Sequence, residues 1–67
     1  MDIKLEYEAY YNNKYVGTRY AWFISIQSTL DHLIKWSQST QWKFVPLGYV
    51  KGTKPHSIEY NTAIDKK

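Results

Sequence analysis

The sequence predicts a small α+β domain in which one helix packs on one face of an antiparallel-rich sheet. Three observations carry that prediction. Residues 2–11 alternate strictly, with Ile3, Leu5, Tyr7, Ala9 and Tyr11 on one side and Asp2, Lys4, Glu6, Glu8 and Tyr10 on the other, as in a half-buried strand. Residues 29–38 place Leu30, Leu33 and Ile34 at i, i+3 and i+4, the spacing of an amphipathic helix, with Asp31, His32, Lys35 and Gln38 facing away. The flanking segments read as strands, and one short helix needs such a surface to cover its stripe. The predicted order is β-β-α-β, closed by a short final β.

Each element has its local reason. The first strand ends at Asn12-Asn13, and Asn tolerates the positive φ of a two-residue hairpin turn. That turn pairs Tyr11 with Lys14, Tyr10 with Tyr15, Ala9 with Val16, Tyr7 with Thr18, Glu6 with Arg19, Leu5 with Tyr20 and Ile3 with Trp22. A three-residue loop would instead set Tyr7 against Arg19 and Leu5 against Ala21; the first register is preferred because Glu6 then opposes Arg19. Gly17 inside the second strand marks a bulge or a close backbone approach. The strand is expected to continue through Phe23, Ser25 and Ile26. Ser28, three residues before Asp31, reads as the helix cap, so the helix is placed from Thr29.

After a polar exit at residues 37–41, Trp42-Lys43-Phe44-Val45 forms a third strand, interrupted at Pro46 and resumed over residues 47–51. A right-handed crossover through the helix lays this strand parallel to the second, and the free place is beside the first. Gly52-Thr53-Lys54-Pro55 is a turn. Residues 56–62, with Ile58 and Tyr60 alternating against Ser57, Glu59 and Asn61, are expected as a short fourth strand. Residues 1–63 form the single domain, and residues 64–67 are expected as a solvated tail.

Composition narrows the chemistry. A chain of 67 residues has no cysteine, so neither disulfides nor thiolate zinc sites support it. Seven Tyr, three Trp and two Phe are too many for so small a core to enclose, and surplus Tyr and Trp are favoured anchors of interfaces. His32 and His56 have no ligand partner at metal spacing, and neither a phosphate loop, a nucleophile elbow nor a paired-carboxylate motif occurs. No metal, cofactor or catalytic residue is expected, and the protein is read as a binder rather than an enzyme. The longest apolar run, residues 20–26, contains a serine and is too short for a bilayer, so a cytoplasmic protein is expected.

With the helix on one face, the predicted register leaves Lys4, Glu6, Tyr10, Tyr15, Arg19 and Phe23 on the uncovered face. Tyr10, Tyr15, Arg19 and Phe23 are therefore the expected partner contacts, with Lys43, Lys51 and Lys54 as basic ones. The same lysines lie among Trp42, Phe44 and Tyr49, and the net charge is +3, which makes direct nucleic-acid binding the alternative. Phe44 reads as core, and Trp42 is balanced between core and interface.

Thr29-Leu30-Asp31 opening the helix, followed by Trp42-Lys43-Phe44-Val45-Pro46-Leu47-Gly48-Tyr49, resembles the family of small phage inhibitors of bacterial RNA polymerase typified by that of T7. That family has a hairpin, one helix beginning Thr-Leu-Asp, and a Trp-x-aromatic-Val-Pro-x-Gly-aromatic strand. Lys51 and Lys54 lie near its functional arginines without matching them position for position. The resemblance implies a phage- or mobile-element-type protein that blocks a host nucleic-acid machine, RNA polymerase or a defence nuclease, by occupying a surface. The expected partner is thus a host protein or protein–nucleic acid complex.

Overall fold

The computed structural model describes residues 1–65. Among them the order is β1 (Asp2–Tyr11), β2 (Lys14–Phe23), α1 (Ile26–Ser37), β3 (Trp42–Gly52) and β4 (Ile64–Asp65). The strands form one open antiparallel sheet in the order β3-β1-β2-β4. The fold is the expected small α+β domain, and β3 lies beside β1 as the crossover argument requires.

The hairpin register begins as expected and then departs from it. Asn12 and Asn13 form the turn at φ 50° and 67°, and Tyr11 pairs with Lys14 and Tyr10 with Tyr15. Val16 is then an extra residue on β2, so Ala9 meets Gly17, Tyr7 meets Arg19, Leu5 meets Ala21 and Ile3 meets Phe23. The two-residue turn is thus combined with the pairing a three-residue loop would have produced. A second bulge recurs on the other side of β1, where Leu47 is extra between the pairs Tyr7–Pro46 and Glu6–Gly48. Because strand side chains alternate with period two, one inserted residue transfers every later side chain to the opposite face. Gly17 was the visible sign of this.

The core lies between the sheet and α1. Leu5, Tyr7, Ala9, Ala21 and Phe23 are buried, with Leu33, Trp36, Trp42 and Phe44 packed against them. The helix turns a different side inward from the one its aliphatic spacing suggests. Thr29 is buried, while Trp36 stands 5.1 Å from Tyr7 and 4.8 Å from Phe44 between ring centroids, and His32 lies 5.0 Å from Phe23. Leu30 and Ile34 are 48% and 62% exposed. The indole of Trp36 offers more apolar area than Ile34, so burying residues 29, 32, 33 and 36 outweighs burying 30, 33 and 34. His32 also satisfies itself there, its Nδ1 lying 3.0 Å from the Ser28 carbonyl, a contact that places the proton on Nδ1.

The helix also starts earlier than predicted. Ser25 is extended at φ −152° and its Oγ accepts from the Ser28 N–H at 3.2 Å, making it the N-cap, and β2 stops at Phe23. Ser28 shares that cap as a donor instead of forming its own. After β3, residues 56–62 do not make the expected strand; only Tyr60 bridges Trp22. The fourth strand falls in the expected tail, where Asp65 pairs with Arg19 and Ile64 with Tyr20. Residues 66 and 67 of that tail lie outside the described residues.

Candidate functional site

The sheet face away from α1 carries Asp2, Lys4, Glu6, Glu8 and Tyr10 from β1, flanked by β2 residues Tyr15, Thr18, Tyr20 and Trp22 and by β3 residues Lys43, Val45 and Val50, as the registers dictate. One end of this face is covered by the chain after β3. Asp2 anchors that strap: its Oδ2 accepts from the Lys54 backbone N–H and its Oδ1 from the Tyr60 hydroxyl, both at 2.8 Å. The Asn61 N–H donates to the Trp22 carbonyl at 2.8 Å, and Trp22 is only 9% exposed. The Asp2 carboxyl is held below its ordinary range, first by the Lys54 N–H and then by Tyr60. The Tyr60 phenol is held above its ordinary range, chiefly by the same bond to Asp2.

The other end of the face, next to the Asn12-Asn13 turn, is uncovered. There the rings of Tyr10 and Tyr15 meet edge to face at 5.6 Å, and the Tyr15 hydroxyl lies 2.7 Å from Thr18 Oγ1. Lys43 is paired with Tyr10, and Val45 with Glu8, on the β3 side. Farther along, Lys4 Nζ sits 4.5 Å from the Tyr20 ring centroid and 3.9 Å from Glu6 Oε1. The result is a patch of tyrosines bordered by charges of both signs and fixed by short side-chain contacts.

Of the expected contact residues, Tyr10, Tyr15 and Lys43 come together here. Arg19 and Phe23 do not, because the Val16 bulge turns both to the helix side. Phe23 is fully buried beside His32 and Trp36. Arg19 is half-buried; its Nε is 2.8 Å from Asp65 Oδ1 and its guanidinium lies 5.4 Å from the Trp42 ring centroid. Lys51 is an exposed residue of β3 paired with Ile3, again on the helix side. Lys54 is spent within the strap, its Nζ donating to the Ile58 and Pro55 carbonyls and lying 4.7 Å from the Tyr60 ring centroid. Trp42 and Phe44 lie on the helix side, packed on the core. Sequence reasoning missed Thr18 and Tyr20, which a bulge at Gly17 would have revealed, and Val45, which pairs with Glu8 on β3.

Among the described residues no group of three His, Asp or Glu is placed to hold a metal ion, and no helix is long and apolar enough to cross a membrane. No family model, no curated protein and no solved structure matches the chain.

Proposed function

We propose that the protein is a small binding protein that acts by occupying the surface of a larger protein, with the Tyr10–Tyr15 end of the sheet as its contact. The partner class follows from the resemblance described above: a component of a bacterial host's nucleic-acid machinery, RNA polymerase or a defence nuclease, met in the bacterial cytoplasm. The observation that carries the docking surface is the pair of tyrosine rings held edge to face at 5.6 Å on the uncovered face. Tyrosines supply wide contact area with little side-chain entropy to lose, and rings already held by neighbours lose less still.

Two features favour a protein over a phosphate backbone as the partner of this face. Glu6 and Glu8 share it with Lys4 and Lys43, so its charge is mixed. Lys43, Lys51 and Lys54 diverge instead of converging, and Lys54 is engaged within the chain. A phosphate-driven complex needs cations gathered on one path. The test is capture from bacterial lysate on the tagged protein, with mass spectrometry of what is retained. The Tyr10→Ala/Tyr15→Ala variant should lose at least roughly ten-fold of the specific protein, as removal of aromatic anchors does. Undiminished capture by the variant, or retention of nucleic acid alone, would sink the reading.

A further inference from the structure

A hollow of about 580 Å³ lies on the helix side of the sheet, between the last turn of α1, the loop before β3 and the Asn12-Asn13 turn. Its size is within the ordinary range for a small-molecule or single-residue site. We propose that it binds a nucleobase, either as a free nucleoside or as an unpaired base of a single strand. This site lies on the other side of the sheet from the tyrosine face, sharing only Asn13 and Lys43 with its border, and does not rest on the reading given for it.

The lining divides into rings and unspent polar groups. Trp36, Trp42 and Phe44 supply the aromatic part. The Trp42 and Phe44 planes are within 2° of parallel with centroids 5.8 Å apart, and Trp36 is tilted 49° to Phe44, so the rings are fixed by one another. Every base has a flat face that stacks on such rings. The polar part is Asn12, Asn13, Thr40 and Gln41, whose side chains make no hydrogen bond to any other described residue. Their backbone is nonetheless held in place. The Asn12 N–H donates to the Gln41 carbonyl at 2.9 Å, and the Trp42 N–H to Ser39 Oγ at 3.1 Å. Three side-chain amides on a fixed rim offer both donors and acceptors, as the edge of a base requires.

Charge decides between a base and other polar rings. No carboxylate lines the hollow; Lys43 does, and Lys14 adjoins Asn13 in the chain. The C-terminal turn of α1 contributes Ser37 to the lining, and helix C-termini disfavour anions. A neutral ring therefore enters, while any phosphate attached to it stays at the solvent-facing rim. Such an arrangement matches a nucleobase better than a sugar, whose puckered ring has no flat face to lay on Trp36, Trp42 and Phe44.

The experiment is an NMR titration of the full chain with thymidine, with adenosine, with oligothymidylate and, as a control, with methyl glucoside. Binding should shift the Trp36 and Trp42 indole N–H signals and the Asn12, Asn13 and Gln41 side-chain amides, with nucleoside and oligonucleotide alike and not with the glucoside. Asn13→Gly/Gln41→Ala keeps the positive-φ turn and the Gln41 carbonyl, removes two amides, and should weaken nucleoside binding roughly ten-fold. Tighter binding of oligothymidylate than of thymidine, falling towards the thymidine value as salt rises, would mark a strand as the source, and equal affinity a free nucleoside. Shifts confined to the Tyr10–Tyr15 face, equal shifts with the glucoside, or no shift with any nucleoside or oligonucleotide would each overturn the proposal. None of these outcomes bears on protein capture by the tyrosine face.

Discussion

Gly17 and Gly48 hold φ of +153° and +155°, and each follows the extra residue of a bulge against β1. A Cβ built at either glycine meets nothing within 4 Å, so the need for glycine there is one of backbone conformation and not of space. Gly17→Ala should therefore cost about 1–3 kcal/mol in urea unfolding, the usual cost of forcing a side chain into such a region. A D-alanine at the same position, made by chemical synthesis, should restore most of that loss; equal destabilisation by both enantiomers would mean the bulge is not what glycine serves. Asp2 and Tyr60 set a second residue-level prediction. The lowered Asp2 carboxyl contributes stability that is present above about pH 3.9 and lost as the pH falls through its folded value. The raised Tyr60 phenol contributes stability that is present below about pH 10 and lost as the pH rises through its folded value. Between those limits the strap should stay closed. The Lys54 amide signal should follow the Asp2 titration at acidic pH, and an amide indifferent to pH there would mean the strap is not anchored by Asp2.

At the scale of elements, the helix shows how far local pattern reaches. Its cap is Ser25, so Ser25→Ala should lower stability by about 1 kcal/mol and Ser28→Ala by clearly less, a ranking opposite to the one the spacing of Ser28 and Asp31 suggests. Its inward side is likewise testable: Leu33→Ala should cost about 2 kcal/mol or more, whereas Ile34→Ala, at a position 62% exposed, should stay within about 0.5 kcal/mol. Comparable losses at Leu33 and Ile34 would contradict the packing described. The alternation of β1, the Asn-Asn turn, the order of the first three strands and the existence of one helix were all legible, because each follows from local period or turn chemistry. What was not legible depends on tertiary competition. Nothing in residues 14–23 alone says that Phe23 and Ala21 fit beneath Trp36 better than Tyr20 and Trp22 would, and that choice is what the Val16 bulge accommodates. β4 was missed for a similar reason. Its two residues have no strand signal of their own and pair because the strap delivers Asp65 to Arg19 at the β2 edge.

For the whole molecule, the consequence is a sheet with one face closed by a helix and the other closed only at its Trp22 end. β3 forms an outer edge along its length, and Pro46, the Leu47 bulge, Lys43 and Lys51 are features that discourage strand-to-strand pairing at such an edge. On the proposed reading the tyrosine face is what remains to engage another protein, while Phe23 is buried and Arg19 half-buried on the helix side, two of the seven expected contacts. An interface anchored by tyrosines with mixed charge around them should weaken only modestly as salt rises from low to physiological concentration, unlike a phosphate-bound complex. The most direct measurement is site-specific photocrosslinking in bacterial lysate, with p-benzoylphenylalanine placed at Tyr15 in one protein and at Ile34 in another. A discrete protein adduct is expected from position 15 and none from position 34. An adduct from position 34 with none from position 15 would contradict the proposed docking surface.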